Sequence, residues 1–268
     1  MMKTYLSFFR IRFTRSLQYR AAAFAGILTQ FAWGGMLILL FRAFYESNPQ
    51  AFPMPFSSLA TYVWLQQALL TLLSPWAYNK DIMDSIQSGT IAYELCRPVD
   101  CYAMWYVKNL AERLSKVCLR GLPILVVAAF IPSPYGFTLP ADGLHFLLFI
   151  VSVILGNTVV ISLNMLLFTT AFYTTSTQGT RMLFATVTDF LCGGILPLPF
   201  FPAAVLGVLK YLPFAAVQNT PFLLYTGYYR IEDAVFNIGV QVVWIVILVI
   251  SGRMWLSASF KKVTVLGG

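Results

Sequence analysis

Residues 21–41 contain no Asp, Glu, Lys or Arg, and neither do residues 143–168. Unbroken apolar runs of about 20 residues match the length a helix needs to cross the hydrocarbon of a bilayer. Charged residues make up only 10% of the 268-residue chain, and apolar residues make up 59%. Soluble domains carry about 25% and roughly 45–50%, so there are too few charges here to cover a water-facing surface. Lipid is therefore expected to be the solvent for much of the chain. In lipid every backbone polar group must be paired within the protein, which leaves helices or a closed barrel. A barrel would show segments of roughly ten residues alternating apolar and polar, and the runs here are longer and continuous. The expected fold is an all-α integral membrane protein, a single transmembrane domain over residues 1–268.

Residues 1–20 place Lys3, Arg10, Arg12, Arg15 and Arg20 among Tyr5, Leu6, Phe8, Phe9, Ile11, Phe13 and Leu17. That mixture suits an amphipathic helix lying in the membrane interface. Six transmembrane helices are expected. The first two cover residues 21–45 and 57–78, and the third ends near Ile131. The fourth covers 143–168, the fifth begins near Met182 after a polar turn that includes Thr175, Ser176 and Arg181, and the sixth covers 234–256. Residues 195–229 are apolar but interrupted by Pro197, Pro199, Pro202, Pro213 and Pro221. They are expected to form re-entrant outer helices between the fifth and sixth spans, covered by protein as irregular backbone at membrane depth must be.

The formal net charge is +8. In a soluble protein such a balance points to nucleic acid. In a membrane protein Lys and Arg accumulate on the cytoplasmic side. With six spans, all of the 18 Lys and Arg except Arg42, Lys210 and Arg230 fall on the side shared by both termini. A seventh span would move Arg253, Lys261 and Lys262 across and weaken that bias. Both termini are therefore expected to be cytoplasmic, with membrane lipid and not nucleic acid as the partner.

Cys96, Cys101, Cys118 and Cys192 form no CxxC pair, and His145 is the only histidine that could join them. Neither a zinc site nor a disulfide framework is expected. The chain has no G-x-x-x-x-G-K-[ST] phosphate loop and no H-E-x-x-H pair. No catalysis, cofactor or metal is expected in this chain.

Asp189 is the most unusual polar residue, because an isolated carboxylate inside a span is costly. Asn157 and Asn164 lie on one face of the fourth span, and Asn237 and Gln241 on one face of the sixth. Asp189 either lines a substrate path or pairs with a neighbouring helix, the two standing level, whereas for the other four helix-to-helix contact is the default for polar groups in spans. A secondary transporter or channel, with Asp189 as an ion-coupling carboxylate, is one reading of such a chain.

The longest charged stretch follows the second span. Asn79 is placed to cap a helix that ends at Gly89, where a left-handed conformation suits glycine. Pro98 biases Arg97 towards extended backbone, and Asp100 is placed to cap the next helix. The stretch Asp81-Ile82-Met83-Asp84-Ser85-Ile86-Gln87-Ser88-Gly89-Thr90-Ile91-Ala92-Tyr93-Glu94-Leu95-Cys96-Arg97-Pro98 resembles the cytoplasmic loop of type 2 ABC exporter permeases. There an amphipathic stretch precedes G-x-I-x-x-x-L-x-R-P, matched by Gly89, Ile91, Leu95, Arg97 and Pro98. Pro197, Pro199, Phe201 and Pro202, then Leu212-Pro213-Phe214 and Pro221, resemble the same family's outer segment.

The resemblance implies a cytoplasmic coupling helix after the second span, within a coupling loop over residues 79–100. Lys80, Asp81, Ile82, Asp84, Ser85, Ile86, Gly89 and Arg97 would engage a groove on a separate ATPase. Ile82 and Ile86 would supply the apolar contact. ATP and Mg would be held by two ATPase subunits. A second permease, identical or different as in the subgroup this chain resembles, would complete the path. Asn157, Asn164, Asp189, Asn237 and Gln241 would then line that path or the permease interface. Export of a drug, a peptide or a lipid-like substrate across a bacterial cytoplasmic membrane is the implied function.

Overall fold

A computed structural model describes residues 2–174 and 177–261. Thr175, Ser176 and Lys262, which enter the sequence expectations above, lie outside the described residues. Among the described residues the chain is helical and has no strand. In order it forms α1 (Met2–Leu17), α2 (Arg20–Ser47), α3 (Phe56–Leu73), α4 (Lys80–Gln87), α5 (Ile91–Leu95) and α6 (Cys101–Phe130). Then follow α7 (Gly143–Thr170), α8 (Thr177–Leu191), α9 (Ala203–Leu209), α10 (Asn219–Tyr225) and α11 (Ile231–Phe260).

Three helices are long and apolar enough to cross a membrane: α2 and α7, each of 28 residues, and α11 of 30. The 30-residue α6 carries its charges in its first two-thirds and Pro123 within its apolar end. The 18-residue α3 reaches roughly 27 Å at the usual helical rise. It stops at Leu73, short of the Tyr78 expected from hydropathy. Ser74 precedes Pro75 and adopts extended backbone with ψ 137°, as the ring of a following proline requires. The 15-residue α8 starts at Thr177 rather than near Met182. It ends just before Gly193, whose φ of +85° is a conformation glycine adopts without cost.

The core is built around α3. From Leu59 to Ala68 every α3 side chain is buried, because α2, α6, α7 and α10 all pack against it. Several polar side chains at that depth bond to other parts of the chain. Gln30 on α2 donates to the Gln67 carbonyl at 2.9 Å, Trp64 donates to the Tyr135 carbonyl at 2.8 Å, and Gln66 donates to the Gly194 carbonyl.

Residues 195–229 contain no helix of spanning length, since α9 and α10 have seven residues each. The stretch from Ala215 to Tyr225 is nevertheless buried. It lies so close to α7 that a Cβ on Gly156 would stand 2.2 Å from the Val217 carbonyl oxygen, so only glycine fits there. Asn219 Oδ1 accepts from the Leu198 amide at 3.1 Å. At the start of α7, Asp142 caps the helix by accepting from the His145 amide at 2.7 Å. The His145 ring bridges Asp142 at 2.8 Å and the Tyr229 carbonyl at 3.2 Å, which fastens this end of the segment.

A second, smaller apolar cluster occupies the end of the bundle that carries α4. It joins Ile82, Met83, Ile86 and Ile91 to Tyr102 and Trp105 of α6, Phe168 of α7 and Leu256 of α11. Along the outside of this end runs α1, none of whose residues is buried, packed against α6.

Candidate functional site

An eight-residue helix is too short to persist on its own, so the loop after α3 must be held by its caps and by what it packs on. Asn79 is buried and its Oδ1 accepts from the Ile82 amide at 3.1 Å, satisfying one of the free donors at the start of α4. Gly89 closes the helix with φ +74°, and the Ser88 hydroxyl donates to the Asp84 carbonyl at 2.8 Å. Asp100 caps α6 by accepting from the Ala103 amide at 3.2 Å. The capped, glycine-ended helix read from the sequence is present.

Its apolar face points the other way from the expectation. Ile82 is 1% exposed and Ile86 8%, both packed against Tyr78, Trp105 and Phe168. A helix this short stays in place only by burying its apolar face in its own chain, so these two residues anchor α4 instead of reaching for a partner. The outward face is polar: Lys80, Asp84, Gln87, Ser88 and Gly89 are exposed, Ser85 is half-buried, and Arg97 is exposed beyond α5. Tyr93 on α5 is 76% exposed and supplies the large apolar surface on this side. Glu94 ties α5 to α6 by accepting from Trp105 Nε1 at 2.7 Å.

Asp81 turns sideways rather than outwards. Its carboxylate lies 3.3 Å from Lys108 Nζ on α6 and 4.0 Å from Arg12 on α1. Burial pushes the carboxyl up, but Lys108, then Arg12 and Arg15, outweigh it and hold it below the ordinary carboxylate range. Asp81 also sits in the first turn of α4, where a negative charge favours the helix dipole.

The root of the loop, residues 74–79, is bonded to three long helices. Arg113 on α6 is buried. Its guanidinium donates to the carbonyls of Leu72 at 2.7 Å, Ser74 at 3.2 Å and Ala77. The last carbonyls of a helix have no partner within it, and the Pro75 break adds more. A single planar fork of donors satisfies them. Asn164 on α7 donates to the same Ala77 carbonyl at 3.4 Å. Arg181 on α8 donates to the Tyr78 hydroxyl and lies over its ring, 4.8 Å from the centroid. Trp76 Nε1 donates to Asp189 of α8 at 3.2 Å. The arrangement makes the loop a rigid extension of α6, α7 and α8.

Of the five polar span residues singled out from sequence, Asn164 and Asp189 therefore meet at this root. Gln241 is fully buried and bonded within the chain: it accepts from the Ser152 hydroxyl at 3.1 Å and donates to the carbonyls of Ser152 at 3.0 Å and Ala216 at 2.7 Å. It ties α11 to α7 and to the buried part of residues 195–229. Asn237 donates to the Asp233 carbonyl of its own helix at 2.8 Å. Asn157 is buried with its Oδ1 unpaired among the described residues. Arg113, the most connected polar side chain of the site, entered the sequence reading only as one more inner positive charge. Pro75, three residues inside the span expected over 57–78, is the signal that the helix stops early and leaves carbonyls that need a donor.

No curated protein compared with the chain matches it. The family model described as ABC-2 family transporter protein matches residues 31–262, from the middle of α2 to just past the end of α11. With an all-helical apolar body and a capped loop helix rooted in α6, α7 and α8, the chain belongs to the ABC-2 transporter family, the multi-pass permease subunits of ABC transporters, which usually work with ATPase subunits.

Proposed function

We propose that the chain is the membrane subunit of an ATP-driven exporter that moves an amphiphilic or hydrophobic substrate, such as a drug, a peptide or a lipid-like molecule, across a bacterial cytoplasmic membrane. The observation that carries this reading is α4: a capped helix with a polar outer face, whose root is bonded to α6, α7 and α8. A helix built in this way transmits displacement, because no flexible linker separates it from the spans.

In this reading α2, α3, α6, α7, α8 and α11 are the six spans and both termini are cytoplasmic. The side shared by α1, α4 and the end of α11 carries the excess of Lys and Arg expected of a cytoplasmic face. Residues 195–229 dip into the membrane from the opposite side; the burial of Ala215–Tyr225 supports this, since irregular backbone at depth must be covered by protein. ATP and Mg are held by two copies of a separate ATPase subunit. A second permease, identical or homologous, completes the path. The docking surface comprises Lys80, Asp84, Ser85, Gln87, Gly89, Tyr93 and Arg97. Ile82 and Ile86 hold the surface in place from beneath. Asp189, bonded to Trp76 at the loop root, positions that root, so the account has no need of a secondary transporter with an ion-coupling carboxylate.

The test is Gly89→Val in the full chain co-expressed with its ATPase. Valine is strained at φ +74°, so the stop of α4 is disturbed while the spans are untouched. Membrane insertion is expected to be unchanged and substrate-linked ATP hydrolysis to be lost. Unaltered coupled hydrolysis would remove α4 from the mechanism.

A further inference from the structure

Away from the outward face of α4, a cleft of about 360 Å³ lies between α1, the start of α2 and α6. Pockets of roughly 300–1,000 Å³ are the usual size for small-molecule sites. Its charged lining sets Arg12, Arg15, Lys116 and Arg120 against Asp81 and Glu112. Asp81 is already paired with Lys108 and Arg12. The side chains of Arg15, Lys116 and Arg120 have no hydrogen bond or ion pair among the described residues. The Arg120 Nε is removed from solvent and unpaired. With Asp81 already engaged, the unpartnered Arg15, Lys116 and Arg120 outnumber Glu112, so the cleft presents an excess of positive charge to an incoming anion.

The cleft is also built to bring Arg120 in. Its guanidinium lies over Gly26 of α2, in the space any side chain at that position would fill. The remaining wall includes Tyr19, Ala22 and Leu119. Further along α2, on the face that carries Gly26, Trp33 and Leu40 are 55% and 49% exposed. The cationic cleft at the junction of α1 and α2 thus continues along an apolar face of α2. An anion that fits both parts has a charged head and apolar chains.

We infer that this cleft binds the phosphate headgroup of an anionic phospholipid from the adjoining leaflet, with its acyl chains along α2. Arg15 and Arg120 contribute guanidinium forks suited to phosphate oxygens, Lys116 adds a point charge, and basic pockets of this kind between cytoplasmic ends of spans bind anionic headgroups. The site depends on the membrane placement of α1 and α2. It does not depend on docking of an ATPase at α4.

The experiment is native mass spectrometry of the purified full-length chain in neutral detergent with dioctanoyl phosphatidylglycerol, dioctanoyl phosphatidylcholine or inorganic phosphate. The anionic lipid is expected to bind at least about fivefold tighter than the zwitterionic one, and Arg15→Gln/Arg120→Gln to remove that preference. Ala22→Trp, which fills the cleft without changing charge, is expected to do the same. Lys3→Gln/Arg10→Gln takes the same charge from the exposed face of α1 outside the cleft and is expected to change the affinity less than about twofold. An equal loss in that control pair, equal binding of the two lipids, or inorganic phosphate bound as tightly as the anionic lipid would each overturn the inference. So would loss of ATPase co-purification, with lipid binding intact, in the Arg15→Gln/Arg120→Gln variant, because the cleft would then be a protein contact.

Discussion

Arg113 on α6 donates to the carbonyl of Leu72 at 2.7 Å, so the end of α3 is held by a side chain 41 positions further along the chain. The same guanidinium reaches Ser74 and Ala77, and so fixes the direction in which the chain leaves α3 for α4. Arg113→Met leaves those carbonyls buried without a donor. A destabilisation of about 3 kcal/mol is expected, read as a lowered melting temperature in detergent. Arg113→Lys keeps the charge but not the planar fork and is expected to fall between the two. Substrate-linked ATP hydrolysis should drop in both. A variant that melts like the wild type and hydrolyses ATP in the same coupled manner would show that the root needs no such strut.

Gln241 separates a structural role from a transport role. Its amide satisfies Ser152 and Ala216 in the interior. Gln241→Leu is expected to cost about 2 kcal/mol and to leave the substrate range of any active complex unchanged. A melting curve beside a substrate panel checks this. Normal stability with an altered substrate range would return Gln241 to the path.

The Asp81 ion pairs predict a pH dependence. Burial raises the carboxyl, and Lys108, Arg12 and Arg15 more than reverse that, so its value in the folded chain lies below the unfolded one. A depressed carboxylate stabilises fully above its unfolded value, about 3.9. That contribution fades as pH falls through the folded value. The melting-temperature gap between wild type and Asp81→Asn should therefore be positive at neutral pH and close towards pH ~3. A gap independent of pH over that range would mean that the pairs carry no weight. Because two-thirds of the Asp81 side chain is exposed, the gap should also shrink with added salt.

The long apolar helices α2, α7 and α11, the Asn79 and Asp100 caps and the Gly89 stop were legible in the sequence. Each depends on a local pattern or on one residue's own chemistry. The end of α3 and the start of α8 were not, because hydropathy continues past Pro75 at one and the polar stretch from Thr177 to Arg181 reads as a turn at the other. The direction of Ile82 and Ile86 was misread for a different reason. Their spacing defines an apolar face, but whether that face meets the chain's own Trp105 and Phe168 or a partner is decided by tertiary packing. Arg113 was hidden similarly, since nothing local marks which of several inner cations is buried. Asn157 and Asn164, and likewise Asn237 and Gln241, share a helix face in sequence, yet Asn164, Asn237 and Gln241 each donate to a different carbonyl, as expected when an amide bonds to the nearest free acceptor.

In the proposed function an ATPase docks on the outward face of α4 and α5. Its most direct test is Asp84→Arg/Tyr93→Glu in the full chain, co-expressed with the ATPase and reconstituted in nanodiscs, with retained ATPase and substrate-stimulated hydrolysis measured together. Both side chains are exposed, so the melting temperature of the permease alone should not move. The account predicts that ATPase retention and stimulated hydrolysis are both lost. Full retention with unchanged stimulation would contradict it.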